Sequence, residues 1–125
     1  MNRQGRISLT RLAIGLTLAG LAIGLVAGPA GAATTVSGSV GPGFTISVKK
    51  SGKQVKRLKA GTYKFRVSDK SAIHNFRLKG PGYNKVITSL GFKGTKTVTV
   101  KLKKGTWRFV CDPHASSMKG SFKVN

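Results

Sequence analysis

With 125 residues the chain is sized for a single domain, and 23 Lys+Arg against 2 Asp+Glu give it a formal charge of +21. The two acids, Asp69 and Asp112, are poor material for a paired-carboxylate mechanism. The single cysteine, Cys111, excludes an internal disulfide.

Chain order begins with a segment that reads as a signal peptide, residues 1–32. Arg3, Arg6 and Arg11 form a positive head, and Leu12 to Ala27 is apolar apart from Thr17 and small glycines. Ala30-Gly31-Ala32 then fits the A-x-A cleavage pattern, so cleavage is expected after Ala32. The alternative is a retained membrane anchor, but 16 apolar residues fall short of the ~20 that span a bilayer. No Arg-Arg pair marks export of a folded protein. The protein is therefore expected outside the cytoplasm, periplasmic or extracellular, as a monomer with no transmembrane span after cleavage.

Removing 1–32 takes away three arginines and leaves 20 basic and two acidic residues, a charge of +18 on the 93-residue domain 33–125. A core of that size is modest, and small exported domains often add disulfides or a metal. An unpaired cysteine in an oxidising compartment is a liability unless something occupies it.

Short alternating segments follow one another. A strand is expected within Thr35 to Val40, then at Phe44–Val48, Thr62–Val67, Ile73–Leu78, Thr97–Leu102, Thr106–Cys111 and Ser121–Val124. Glycine-bearing turns separate them at 41–43, 60–61, 79–82, 92–94 and 103–105. No segment carries a helical stripe. Seven or eight short strands with frequent turns predict an all-β Greek-key sandwich.

Strand parity puts Cys111 on the face of Trp107 and Phe109, and His74 on the face of Phe76 and Leu78, both inward. After signal removal the domain has one Cys, two His and one Met, and three of these four lie between Cys111 and Met118. Singly, each would read as core filler or a solvated turn residue. Together they match the donor set of a His₂Cys site with a weak axial methionine, the blue-copper arrangement. Pro113 stiffens the turn and removes a backbone N–H beside the thiolate. Structural zinc wants four Cys or His ligands and finds three here, with only Asp112 to add an oxygen.

Cys111-Asp-Pro-His114 followed by Met118, with His74-Asn75 upstream, resembles the type 1 copper site of the cupredoxins, such as plastocyanin, pseudoazurin and amicyanin. The resemblance covers essentially all of 33–125. It implies one copper ion with Cys111, His74 and His114 as equatorial ligands and Met118 axial. It also implies that Asn75 pins the two ligand-bearing loops together, and that electrons pass through the exposed edge of His114. The His-to-Met spacing lies between those of amicyanin and plastocyanin. Asp112 departs from the pattern by placing an acid beside the cysteine.

The expected function is electron transfer by an exported copper protein, not enzymatic catalysis, since four ligands leave no open position for a substrate. Two other classes stay open: a protein that captures or delivers copper, and a basic polyanion-binding module. Lys49 to Lys59 and Lys101 to Lys104 are two basic runs. They act either as a solvated face or as a surface steering toward an acidic redox partner or an anionic envelope surface. Nucleic acid is not expected as the target. Tyr63, Phe65, Trp107 and Phe109 alternate as core residues and offer no stacking platform.

Overall fold

A computed structural model describes residues 31–125. Residues 1–30 of the expected signal segment 1–32 lie outside the described residues. Within them, no helix is long and apolar enough to cross a membrane.

In the described residues ten strands form two five-stranded sheets. They are β1 (Thr34–Val40), β2 (Ile46–Lys50), β3 (Lys53–Gln54), β4 (Arg57–Leu58), β5 (Gly61–Asp69), β6 (Phe76–Gly80), β7 (Tyr83–Thr88), β8 (Gly94–Leu102), β9 (Gly105–Val110) and β10 (Lys119–Val124). One sheet runs β3-β2-β1-β5-β8 and the other β4-β10-β9-β6-β7. The crossings between sheets make this the cupredoxin-like Greek-key sandwich expected, with β3 and β4 as two-residue additions at the edges. β1 and β5 run parallel, Thr34 opposite Tyr63 and Val40 opposite Asp69.

Alternation explains most of this. In β5, Tyr63, Phe65, Val67 and Asp69 are buried while Thr62, Lys64 and Arg66 face water. In β9 Trp107 and Phe109 are buried. On the inner face of the second sheet the rings of Phe76 and Phe109 stack at 6.0 Å and those of Trp107 and Phe122 at 6.5 Å, and across the sheets Phe65 stacks on Phe122 at 6.5 Å. Each buried aromatic contributes about 1.5–3 kcal/mol by leaving water. Two glycines make room for the rings: a Cβ on Gly80 would enter the Trp107 indole, and one on Gly120 would enter the Phe109 ring.

Three of the expected strands lose residues to the neighbouring turns, while β5, β6, β8 and β10 run past their expected ends and β3, β4 and β7 were not expected. Phe44 is not in a strand: it lies in the 41–45 turn and is 63% exposed. Ile73, His74 and Asn75 precede β6, in a turn closed by His74 N–H donating to the Ser71 carbonyl (3.2 Å). Cys111 falls just past β9.

The registers define two poles. The 41–45 turn, the 70–75 connection and the 111–118 loop meet at one end, since Val40 pairs with both Ile46 and Asp69, and Val110 pairs with Lys119 and Arg77. At the other end lie the start of β1, the β2–β3 turn, β4 and the β8–β9 turn.

Candidate metal centre

The first pole carries the site. Cys111 and His74 are buried, with 0% and 1% exposure, and His114 is half-buried. His74 Nδ1 and His114 Nδ1 stand 3.0 Å apart, and Cys111 Sγ lies 3.7 Å from the first and 3.6 Å from the second. The point equidistant from all three lies about 2.0 Å from each, close to the ~2.0–2.3 Å of nitrogen and sulfur bonds to a first-row ion such as zinc. The donor set therefore fits a metal ion, and among the described residues this is the one such cluster of three.

The loop geometry comes from its sequence. Asp112–His114 make a single 3₁₀ turn, with Pro113 at its start where no N–H is needed. His114 N–H donates to the Cys111 carbonyl (3.1 Å), Met118 N–H to the His114 carbonyl (2.7 Å), and Cys111 N–H to the Met118 carbonyl (3.0 Å). These bonds close a ring of backbone that holds Cys111, His114 and Met118 on one turn. Met118 itself is fully buried.

His74 is oriented from the other side. Its Nε2 lies 2.8 Å from the Gly43 carbonyl, which can only accept. Nε2 thus carries the proton, and Nδ1 presents its lone pair to the site. The Phe44 ring meets both imidazoles edge-on, His74 at 5.5 Å and His114 at 4.8 Å. Neither Gly43 nor Phe44 was among the residues singled out from sequence. A backbone carbonyl leaves no side-chain signal, and Phe44 read as the first residue of a strand. The aromatic directly after Gly41-Pro42-Gly43 was the available hint.

Asn75 is buried and bridges the loops. Its Oδ1 accepts the Asp112 backbone N–H (2.7 Å) and its Nδ2 donates to Asp112 Oδ2 (2.8 Å). In a strand with His74 inward Asn75 would point outward; outside a strand it is buried beside His74. Arg77 Nε donates to both oxygens of the same carboxylate (2.9 and 3.0 Å). The Arg77 guanidinium holds the Asp112 carboxyl below its usual range, and Asp112 in turn raises Arg77. A carboxylate so engaged is turned to its partners and is not available as a fourth, zinc-type oxygen ligand.

Residues 45–125 match the family model described as copper binding proteins, plastocyanin/azurin family. No curated protein matches the sequence. Among solved structures, the copper protein rusticyanin aligns at 21% identity and a TM-score of 0.54, over 73% of this chain and 76% of its own. A structure of reduced rusticyanin aligns at 25% identity and 0.52, over 73% and 78%. Auracyanin A, a "blue" copper protein from the green thermophilic photosynthetic bacterium Chloroflexus aurantiacus, aligns at 20% and 0.51, over 75% of this chain and all (100%) of its own. With a sandwich of this topology, a His–Cys–His cluster at its pole and a family match over most of its length, the chain belongs to the plastocyanin/azurin family of copper binding proteins, a cupredoxin whose cofactor is copper.

Proposed function

We propose that this is an exported type 1 copper protein that relays single electrons between redox partners, with His74, Cys111, His114 and Met118 as the residues that would hold the copper ion. The observation that carries the reading is the convergence of the Cys111 sulfur and two imidazole nitrogens on one point. Copper bound there supplies a one-electron couple, the thiolate favouring Cu(I) and the imidazoles suiting either state.

The chain's own part is to keep the donors still. The Gly43 carbonyl fixes the His74 ring, the backbone ring from Cys111 to Met118 fixes the loop, and Asn75 ties the loop to the 70–75 connection. Donors that do not move between oxidation states keep the reorganisation cost of electron transfer small. Cys111 and His74 are shut off from solvent, which disfavours ligand exchange and speaks against a copper-delivery role. His114 is the ligand with an accessible edge, and the exposed side chains of Phe44 and Ile73 flank the two histidines in space and in sequence. That end is where a redox partner would meet the site. Four donors around one ion leave no place for a substrate, so the protein carries electrons and is not an enzyme.

Export rests on the positive head, the apolar Leu12 to Ala27 and the A-x-A site before Ala33. The working form is then 33–125, periplasmic or extracellular, and its charge of +18 favours an acidic redox partner or an anionic envelope surface. The test is a visible absorption spectrum before and after one equivalent of Cu(II). An intense band that bleaches on reduction and returns on oxidation is expected, absent in Cys111→Ser; a colourless product overturns the reading.

A further inference from the structure

The pole opposite the metal site holds an open cleft of about 670 Å³. Lys50, Lys53, Lys56, Arg57 and Lys59 line it, from the end of β2 through β3 and β4 to the start of β5. Val55 and Leu58, both buried, lie among them, and the Tyr63 hydroxyl donates to the Lys59 carbonyl (2.7 Å). No acidic side chain faces these cations; Asn125, the last residue, also lines the cleft, and Arg57 donates to its Oδ1 (3.5 Å). Asp69 ends β5 beside Val40, and Asp112 follows Cys111, so both acids of the sequence belong to the metal end. Lys103 and Lys104, in the β8–β9 turn, and Lys123, paired with Arg57 in register, add to the same pole. The far pole thus carries eight of the 20 cations of 33–125 and neither acid, while Lys70 and Lys119 stand at the metal end with both acids.

We propose that this basic cleft docks on the phosphate headgroups of an anionic lipid bilayer. Two observations choose a bilayer over a protein. Lysine, four of the five cations, is depleted at protein–protein interfaces, which favour arginine and large aromatics. Flexible lysine stems suit headgroups of no fixed geometry, and can lie along the apolar floor of Val55 and Leu58 while their ammonium groups reach phosphate. Docked this way, the domain turns its metal pole away from the lipid; that consequence rests on the proposed electron-transfer role, while the docking itself does not.

The domain from Ala33 onward holds both sheets and the whole described core, and is the form to test, metal-free and copper-loaded. Binding is measured by co-sedimentation with vesicles of 3:1 phosphatidylcholine and phosphatidylglycerol, and with phosphatidylcholine alone, at about 0.1 M salt. One variant combines Lys53→Gln, Lys56→Gln, Arg57→Gln and Lys59→Gln. A control removes the same charge elsewhere by Lys64→Gln, Arg66→Gln, Lys93→Gln and Lys96→Gln. Each cation near an anionic leaflet strengthens binding roughly fivefold. The cleft variant is expected to lose about a hundredfold or more on anionic vesicles, the control less than about tenfold, with copper making no difference and the unfolding midpoint of both variants near wild type. Equal losses in the two variants, or no binding of the unaltered domain to anionic vesicles, overturn the proposal. Cleft-dependent binding to soluble polyphosphate without vesicle binding also overturns it, in favour of a dissolved polyanion. A visible copper band retained in the cleft variant keeps this result separate from the fate of the electron-transfer reading.

Discussion

Asn75 and Asp112, 37 positions apart, are joined by two hydrogen bonds, with the asparagine accepting the Asp112 backbone N–H and donating to its carboxylate. This places a buried amide across the gap between the loop that carries His74 and the loop that carries Cys111 and His114. Leaving a buried polar group without its partner costs about 1–3 kcal/mol. Asn75→Leu is therefore expected to lower the unfolding free energy by that amount and to shift or broaden the copper absorption band. Asn75→Asp, which keeps the acceptor but sets a carboxylate against Asp112, should be at least as damaging. Urea unfolding and the visible spectrum check both; a Leu variant within about 0.5 kcal/mol of wild type would show that the bridge is not structural.

Phe44 is largely exposed, so truncating it removes little core. Its ring nevertheless meets both site imidazoles edge-on. Aromatic pairs of this kind are worth about 0.5–1.5 kcal/mol beyond area. Phe44→Ala should accordingly leave stability close to wild type while copper loss to a chelator speeds up by roughly two- to tenfold. An unchanged release rate would assign Phe44 to the surface alone.

The strands that were legible in sequence are those whose two faces meet different surroundings. β5 alternates over its whole length and β9 presents Trp107 and Phe109 inward, so period two was visible in both. β7 was not, because as an edge strand it exposes Asn84, Lys85 and Val86 in succession and buries Ile87 and Thr88 side by side. β6 begins at Phe76, where its pairing with β7 shifts register, and the turn before it buries His74 and Asn75 as neighbours, a pattern that strict alternation does not produce. The donors of the 111–118 loop were legible because proximity in sequence made them neighbours in space. What held His74 in place was not, since the Gly43 carbonyl belongs to every residue type alike.

Tyr83 gives a pH dependence far from the site. Burial raises its phenol above the ordinary value of about 10, with the ring beside Trp107 at 5.8 Å and under Lys85. Above that ordinary value the unfolded chain gives up the Tyr83 proton first, so the native state holds the greater number of protons. Its contribution is whole below the unfolded value and is lost as pH rises through the raised one. Wild type should lose stability more steeply than Tyr83→Phe between about pH 9 and 11 in urea titrations, the lysines being common to both. Parallel curves would show that the phenol titrates as in the unfolded chain.

Met118 separates a metal-tuning role from mere filling of space. It is fully buried in the core cluster, where a methionine can serve as adaptable packing. Met118→Ala leaves a cavity and is expected to cost about 2–5 kcal/mol, whichever role the sulfur plays. Met118→Leu conserves volume and should cost less than about 1.5 kcal/mol. If the thioether is the axial ligand, the leucine variant will fold, bind copper through the remaining three donors, and show a changed band position and reduction potential, because a weak axial bond tunes both. If Met118 only fills space, the same variant will keep the wild-type colour and potential. Spectrum and voltammetry on this one stable variant therefore decide what the alanine variant cannot.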